Sequence, residues 1–347
     1  MITYRHACYL LILFASVIFS NAQNTENAGD YISAVNKARG DMDAKYMQYL
    51  SAAAHGRRAR KVEKLRQQVL DNITQSRYNT IDLPKYKGDN TLRQGSIDYI
   101  QLCYRVFNED YKKIVDVEEL AEQSVDEMQA YILLQEKVSE KLEDASKDLD
   151  KTTKTFASKY NVTLIEDLSP LGEKMKTAGR LNKYVNSVYI LFYKCNWEDN
   201  QIVNAMNTKK VNDIEQARNA LAHYANDGLQ ALDTLRTFDG DPSLANACRQ
   251  ALEFYKTMSE KDMAQLSDYY LKQEEFEKSK KEFDSKSQNS RTKEDVDNYN
   301  KFIKDINAAV NSFNQTNTKI NKKRTEIINN WQDNEKKFTD EHMPHYK

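Results

Sequence analysis

Tyr299, Ile306, Phe313, Ile320 and Ile327 recur every seven residues near the C-terminus, and Ile303, Val310, Asn317, Arg324 and Trp331 run four positions behind them. Apolar side chains at that spacing line one edge of an α-helix and are buried only against another helix, as in a coiled-coil seam. Two polar members, Asn317 and Arg324, interrupt the seam and are expected to fix its register at some cost in stability. Ala121, Met128, Gln135, Leu142, Leu149 and Phe156 form a comparable row earlier in the chain. Nine Gly and four Pro in 347 residues give too little turn chemistry for a many-stranded sandwich or barrel. The expected fold is all-α: an elongated, rod-like bundle of long antiparallel helices with coiled-coil-like packing. A helix of roughly 40 residues would be about 60 Å long.

The few breakers place the helices at about 28–78, 89–114, 116–158, 170–206, 209–238, 242–286 and 292–340. Pro84 falls in a loop, while Pro170 after Ser169 and Pro242 after Asp241 read as an N-cap followed by a proline at the first helical position. Phe156–Leu164 reads as a turn between halves, and Ser287–Arg291 as a polar connector. The domains expected are 1–22 as signal peptide, 23–165 as one helical half and 166–347 as the other.

The two halves look duplicated. Val62, Val69, Leu83, Tyr86, Gly88, Asp89 and Leu92 match Ile214, Leu221, Leu235, Phe238, Gly240, Asp241 and Leu244 at an offset of 152 residues. The shared aromatic-x-Gly-Asp-x-x-Leu junction is the stronger signal, with Gly expected to end one helix and Asp to cap the next. Residues 62–92 and 214–244 are then expected to form the same helix–junction–helix unit.

Residues 1–22 carry a short basic start (Arg5, His6), an apolar run from Tyr9 to Phe19 and a small-residue site at Ser20-Asn21-Ala22. This is the grammar of a cleavable secretory signal, with an apolar run too short to span a bilayer comfortably. The mature chain is expected to begin at Gln23 and to work in the periplasm, at the cell surface or secreted, without a transmembrane span. Cys103, Cys195 and Cys248 then remain, which permits one disulfide plus a thiol or three buried thiols; their apolar helical settings favour thiols. A formal net charge of −1 gives no global pull toward nucleic acid or anionic membrane, and nucleic acid is not expected as a partner.

Several local runs carry a resemblance. Tyr46-Met-Gln-Tyr49 with Ala54-His55-Gly56, Lys61-Val-Glu-Lys64, Tyr86-x-Gly-Asp89-x-x-Leu-Arg93 and Tyr189-x-Leu-x-Phe-Tyr193 resemble a helical surface-protein family of Bacteroidetes and Leptospira. The resemblance spans most of the mature chain and implies an exported, helical, surface-associated protein with no established activity. It carries over no functional residue. The chain departs from lipid-anchored members in having no lipid-accepting Cys at the cleavage site.

Motifs for chemistry are sparse. A di-iron bundle needs Glu-x-x-His pairs, and the residues three before His55, His223, His342 and His345 are Ala52, Ala220, Thr339 and His342. His342-Met-Pro-His345 sits in a Pro-containing tail and is expected to be solvated rather than metal-binding. There is no Gly-x-Ser-x-Gly, phosphate-binding Gly loop or His-Glu-x-x-His. Asp239-Gly-Asp241 lacks the remaining ligands of a calcium loop. No catalytic residue, cofactor or metal site is therefore expected. Arg57-Arg-Ala-Arg60-Lys61-Val-Glu-Lys64-Leu-Arg66 puts Arg57, Lys61 and Lys64 along one helix edge, where they are the candidate partner-binding residues for an anionic glycan, lipid headgroup or acidic protein. The tyrosines at 184–193 and 269–270 suit either an aromatic groove or the boundary of a helical core.

The function these features point to is a non-enzymatic, exported interaction or scaffold protein with an unknown protein or glycan partner. The alternative is a binder of a small apolar or anionic ligand in a cleft between the two halves.

Overall fold

Lys87 and Gly88 both have positive φ (47° and 85°), and so do Asp239 and Gly240 (48° and 87°). Two successive left-handed residues make the tight two-residue reversal of a hairpin, which glycine permits at little steric cost. In the first copy the Asp89 N–H donates to the Tyr86 carbonyl at 2.8 Å and the Tyr86 N–H donates back at 3.0 Å. In the second, the Asp241 N–H donates to the Phe238 carbonyl at 2.9 Å. The glycine therefore forms the turn itself. Expected as a helix terminator, it instead follows a helix that has already ended several residues earlier, so that the chain can present an aromatic residue to the core before reversing.

The computed structural model describes residues 27–56, 59–110, 120–165 and 170–347. Among these there is no β-strand, only the two isolated bridges at the turns. The fold is all-α. The helices are α1 (Ala28–Arg39), α2 (Met42–Ala54), α3 (Ala59–Ile81), α4 (Thr91–Arg105), α5 (Val125–Lys159), α6 (Pro170–Thr208), α7 (Val211–Thr234), α8 (Ser243–Thr257), α9 (Met263–Ser285) and α10 (Lys293–His342). They fall into two units: residues up to Asn186 with Lys337–Lys347, and Ser187–Lys336. Helices α6 and α10 contribute residues to both.

The junctions repeat beyond the turn. Asp89 Oδ1 accepts the Thr91 N–H and Asp241 Oδ1 accepts the Ser243 N–H, each at 2.8 Å. Each then opens a helix of 15 residues that passes into five residues of π-helix, Val106–Asp110 and Met258–Asp262. Leu92 and Leu244, one residue after each capped donor, are buried. Pro242 precedes the first helical residue, Ser243, whereas Pro170 opens α6 as expected.

The first helix expected, 28–78, is three helices. Gly40 (φ 66°) ends α1, donating its N–H to the Lys37 carbonyl at 3.0 Å, and Gly56 (φ 62°) follows α2. Both adopt backbone angles that an amphipathic pattern does not reveal. The expected start at 116 lies outside the described residues; Leu120 and Ala121 are helical, and a separate helix opens at Val125, where the Glu127 N–H donates to Ser124 Oγ at 3.1 Å and the Ser124 hydroxyl donates to the Glu127 carboxylate at 3.2 Å. Thr292 and Asp295 cap α10, the Asp295 N–H donating to Thr292 Oγ1 at 3.1 Å and the Thr292 N–H to the Asp295 carboxylate at 2.9 Å.

In the first unit Tyr31, Tyr86, Phe156 and Tyr160 form an aromatic cluster beneath the junction, with Tyr31 and Tyr86 at 5.2 Å and Tyr86 and Tyr160 at 4.9 Å between centroids. The Tyr31 hydroxyl donates to the Pro84 carbonyl at 2.7 Å, so the phenol's polar end is satisfied at the loop. In the second unit Phe192 stacks on Trp331 at 4.4 Å, and Gly228 lets α7 approach α8 so closely that a Cβ there would lie 2.8 Å from Leu252 Cδ1. Burying each such aromatic contributes roughly 1.5–3 kcal/mol.

Asp241→Ala should cost about 1 kcal/mol, the usual worth of a side-chain helix cap. Asp89→Ala should cost more than a cap alone is worth, because Asp89 also accepts from Lys159 Nζ at 2.7 Å and the Tyr160 hydroxyl at 3.1 Å. Lys159 and then Thr91 hold the Asp89 carboxyl well below the usual carboxylate range. A depressed folded pKa stabilises fully above the unfolded value of 3.8, and that share declines as pH falls from there through the depressed folded value. Urea unfolding followed by helical circular dichroism at pH 7 and pH 3 checks this: the gap between wild type and Asp89→Ala should narrow at pH 3.

Candidate functional site

The residues singled out by the sequence lie at the start of α3. Arg57 lies outside the described residues. Arg60, Lys61 and Lys64 are exposed, while Val62 and Leu65 on the other side are partly buried, as the helical spacing requires. Glu63 is taken by Arg66 (2.7 Å), and Arg60, Lys61 and Lys64 have no ion-pair partner among the described residues. The first turn of α3 holds no acidic residue. Cations at a helix N-terminus oppose the macrodipole, so this run is unfavourable for the helix that carries it.

Of the tyrosines expected either in a groove or at the core boundary, all but the half-buried Tyr269, which packs on Phe313, are core. Tyr184, Tyr189, Tyr193 and Tyr270 are all buried, with Tyr189 at 1% exposure and the Tyr270 hydroxyl donating to the Met206 carbonyl at 3.1 Å. Residues 271–308, where α9 turns back into α10, contain no buried residue. This hairpin is held by its own seam, Phe283 stacked on Tyr299 at 4.3 Å, and by Lys286 paired with Asp295 at 2.6 Å near its tip.

The histidine tail packs back on α2, although His345 itself is exposed, as expected of a tail residue. His345 stacks on His55 with centroids 3.9 Å apart and planes 21° apart, and Met343 is buried. Lys174 Nζ donates to the His345 carbonyl at 2.7 Å, and the Tyr346 N–H donates to Ser51 Oγ at 3.1 Å. No sequence pattern joins His55 to His345, because 289 residues separate them. Among the described residues no group of three or more His, Cys, Asp or Glu is arranged to hold a metal ion.

Buried titratable groups were also invisible to the sequence pattern. Arg324, expected to set the register of the seam, makes a two-pronged ion pair with Asp199 on α6 at 2.5 and 2.7 Å, and Asp199 is only 2% exposed. Asp43 Oδ1 is shut from solvent and accepts no hydrogen bond; burial pushes its carboxyl up to about 7 despite Arg39. Burial likewise raises Glu335 to about 7 and the Cys103 thiol to about 12. Cys195 and Cys248 are raised as well, and all three are buried free thiols. A thiol held protonated is a poor nucleophile, so these cysteines act as small core residues.

Among the recesses on the described surface, two each lie within one unit. One of about 580 Å³ lies at the first junction between Lys87, Asn90, Gln94 and Lys159. The other, about 430 Å³, lies between α6 and α7 and is lined by Glu198, Gln201, Asn204, Lys210, Asp213 and Gln216. Both are open and polar, unlike the enclosed apolar pockets that hold most small ligands. No helix among the described residues is long and apolar enough to cross a membrane.

Compared with family models, curated proteins and solved structures, the chain matches none.

Arg324→Met should destabilise the protein by about 3–5 kcal/mol by stranding the Asp199 carboxylate, and Asp199→Leu combined with it should recover most of that loss. Asp43 carries a pH signature of opposite sign to Asp89. Its folded pKa is raised, so its stabilising share is full below 3.8 and declines as pH climbs toward about 7. Asp43→Asn should flatten the fall in stability between pH 4 and pH 8 measured by urea unfolding; an unchanged slope would show that Asp43 does not carry it.

Proposed function

We propose that this protein is an exported, non-enzymatic helical interaction protein that engages an anionic macromolecular partner, a glycan or an acidic protein, through the exposed cationic face at the start of α3. The observation that carries this reading is the uncompensated run Arg60, Lys61 and Lys64, exposed and unpaired among the described residues at the helix end least suited to positive charge. Charges that weaken their own helix and neutralise no neighbouring acid have their use in a partner. Arg57 extends the same edge in the sequence. Cys103, Cys195 and Cys248 are buried thiols that serve the core, in keeping with this reading. The signal-like residues 1–22 support export, with cleavage after Ala22 and residence in the periplasm, at the surface or in the medium.

Two measurements test it. N-terminal sequencing of protein recovered from outside the cytoplasm should begin at Gln23; an intact Met1 would remove the export half of the proposal. On heparin, a sulfated glycan used as probe, the wild-type protein should be retained and released by salt. The double variant Lys61→Glu with Lys64→Glu, with unchanged helical content, should elute at clearly lower salt. Equal elution of the two would remove the α3 face from the proposal.

A further inference from the structure

The contact between α2 and the C-terminal tail contains an atom that the fold does not satisfy. His55 Nδ1 lies 2.6 Å from the Ser51 carbonyl oxygen, an acceptor only, so the proton sits on Nδ1 and Nε2 carries the lone pair. Nε2 is buried and receives no hydrogen bond. A buried acceptor without a donor is costly and calls for a missing partner, either a water or an ion. The arrangement also has a chemical meaning of its own. An imidazole that donates one N–H to a backbone carbonyl and presents the other nitrogen bare is oriented as metal-ligating histidines are, with the carbonyl fixing the tautomer.

The second imidazole is already there. His345 lies on His55 at 3.9 Å between centroids, brought by the tail that follows α10 and held by the Lys174 bond to its carbonyl and by the neighbouring Tyr346 bond to Ser51. With the ring planes 21° apart the two sets of lone pairs run nearly parallel, so shared coordination needs one ring to turn. His345 is the ring that can do so, because it lies beyond the last helical residue, His342, and its backbone is tied by bonds that leave its side-chain torsions free. Pro344 shortens the range of tail conformations that must be ordered.

We propose that His55 and His345 form a two-imidazole site for a borderline divalent transition cation of the zinc, nickel or copper class, with water completing the coordination. The site clips the C-terminal tail to the end of α2. Each imidazole gives one nitrogen lone pair to the cation. Lys174, whose Nζ is bonded to the His345 carbonyl, opposes the charge of the bound ion and so tempers affinity.

The test uses the untagged mature chain and Zn²⁺ alone, followed by the shift in thermal unfolding and by calorimetric titration at pH 7.5. The wild-type protein should bind one Zn²⁺ per chain. His345→Phe preserves a ring for stacking and removes the lone pair; it should unfold like wild type without zinc and lose the zinc-dependent shift. His55→Ala should lose the shift also, whereas His342→Ala and His223→Ala should retain it. Absence of a shift in wild type with 1 mM Zn²⁺, or its persistence in both His345→Phe and His55→Ala, overturns the site. Loss of the shift in His342→Ala with retention in His55→Ala would place the ion on the tail alone and overturn it equally.

Discussion

Each unit depends on one reversal, a two-residue turn with both φ angles positive, closed by an aspartate that caps the helix it leads into. Glycine at the second position makes the turn sterically cheap, and the aspartate uses an otherwise orphaned N–H of the next helix. Because the aromatic residue before the turn, Tyr86 or Phe238, is buried, the reversal is anchored to the core as well as to the backbone. The helices on either side then meet antiparallel with their apolar edges in register, α3 on α4 and α7 on α8.

The features readable in the sequence are those made by near neighbours along the chain. Pro170 and the Ser287–Arg291 connector placed helix ends within a few residues, because breaker and capping chemistry is local. Gly40 and Gly56 misled for the opposite reason: a glycine inside an amphipathic pattern looks tolerated until its φ is known. The junction repeat was legible from its residues, although the work assigned to its glycine was not. Arg324 was visible as an intruder in an apolar seam, but its partner Asp199, 125 residues away, was not. The His55 and His345 contact lies further still beyond any periodicity.

Charge is used in two distinct ways. Asp89, Asp199 and Asp295 each sit against a cation and a geometry that suits it, and they tie segments together. Arg60, Lys61 and Lys64 sit against nothing described, at a helix end that disfavours them. Asp43 is the mirror case inside, a carboxyl whose burial favours its protonated form. In a chain where 30% of residues are charged, the number of charges says little; what discriminates is whether each one is answered.

The five-residue π stretches at Val106–Asp110 and Met258–Asp262 stand at the same distance from their turns. A π turn is the mark of one residue inserted into an α-helix without breaking it, and such insertions are tolerated only where the apolar stripe can rotate to a new facing. The first two residues of each stretch, Val106 with Phe107 and Met258 with Ser259, are all buried, so in both units the widened turn opens toward the core.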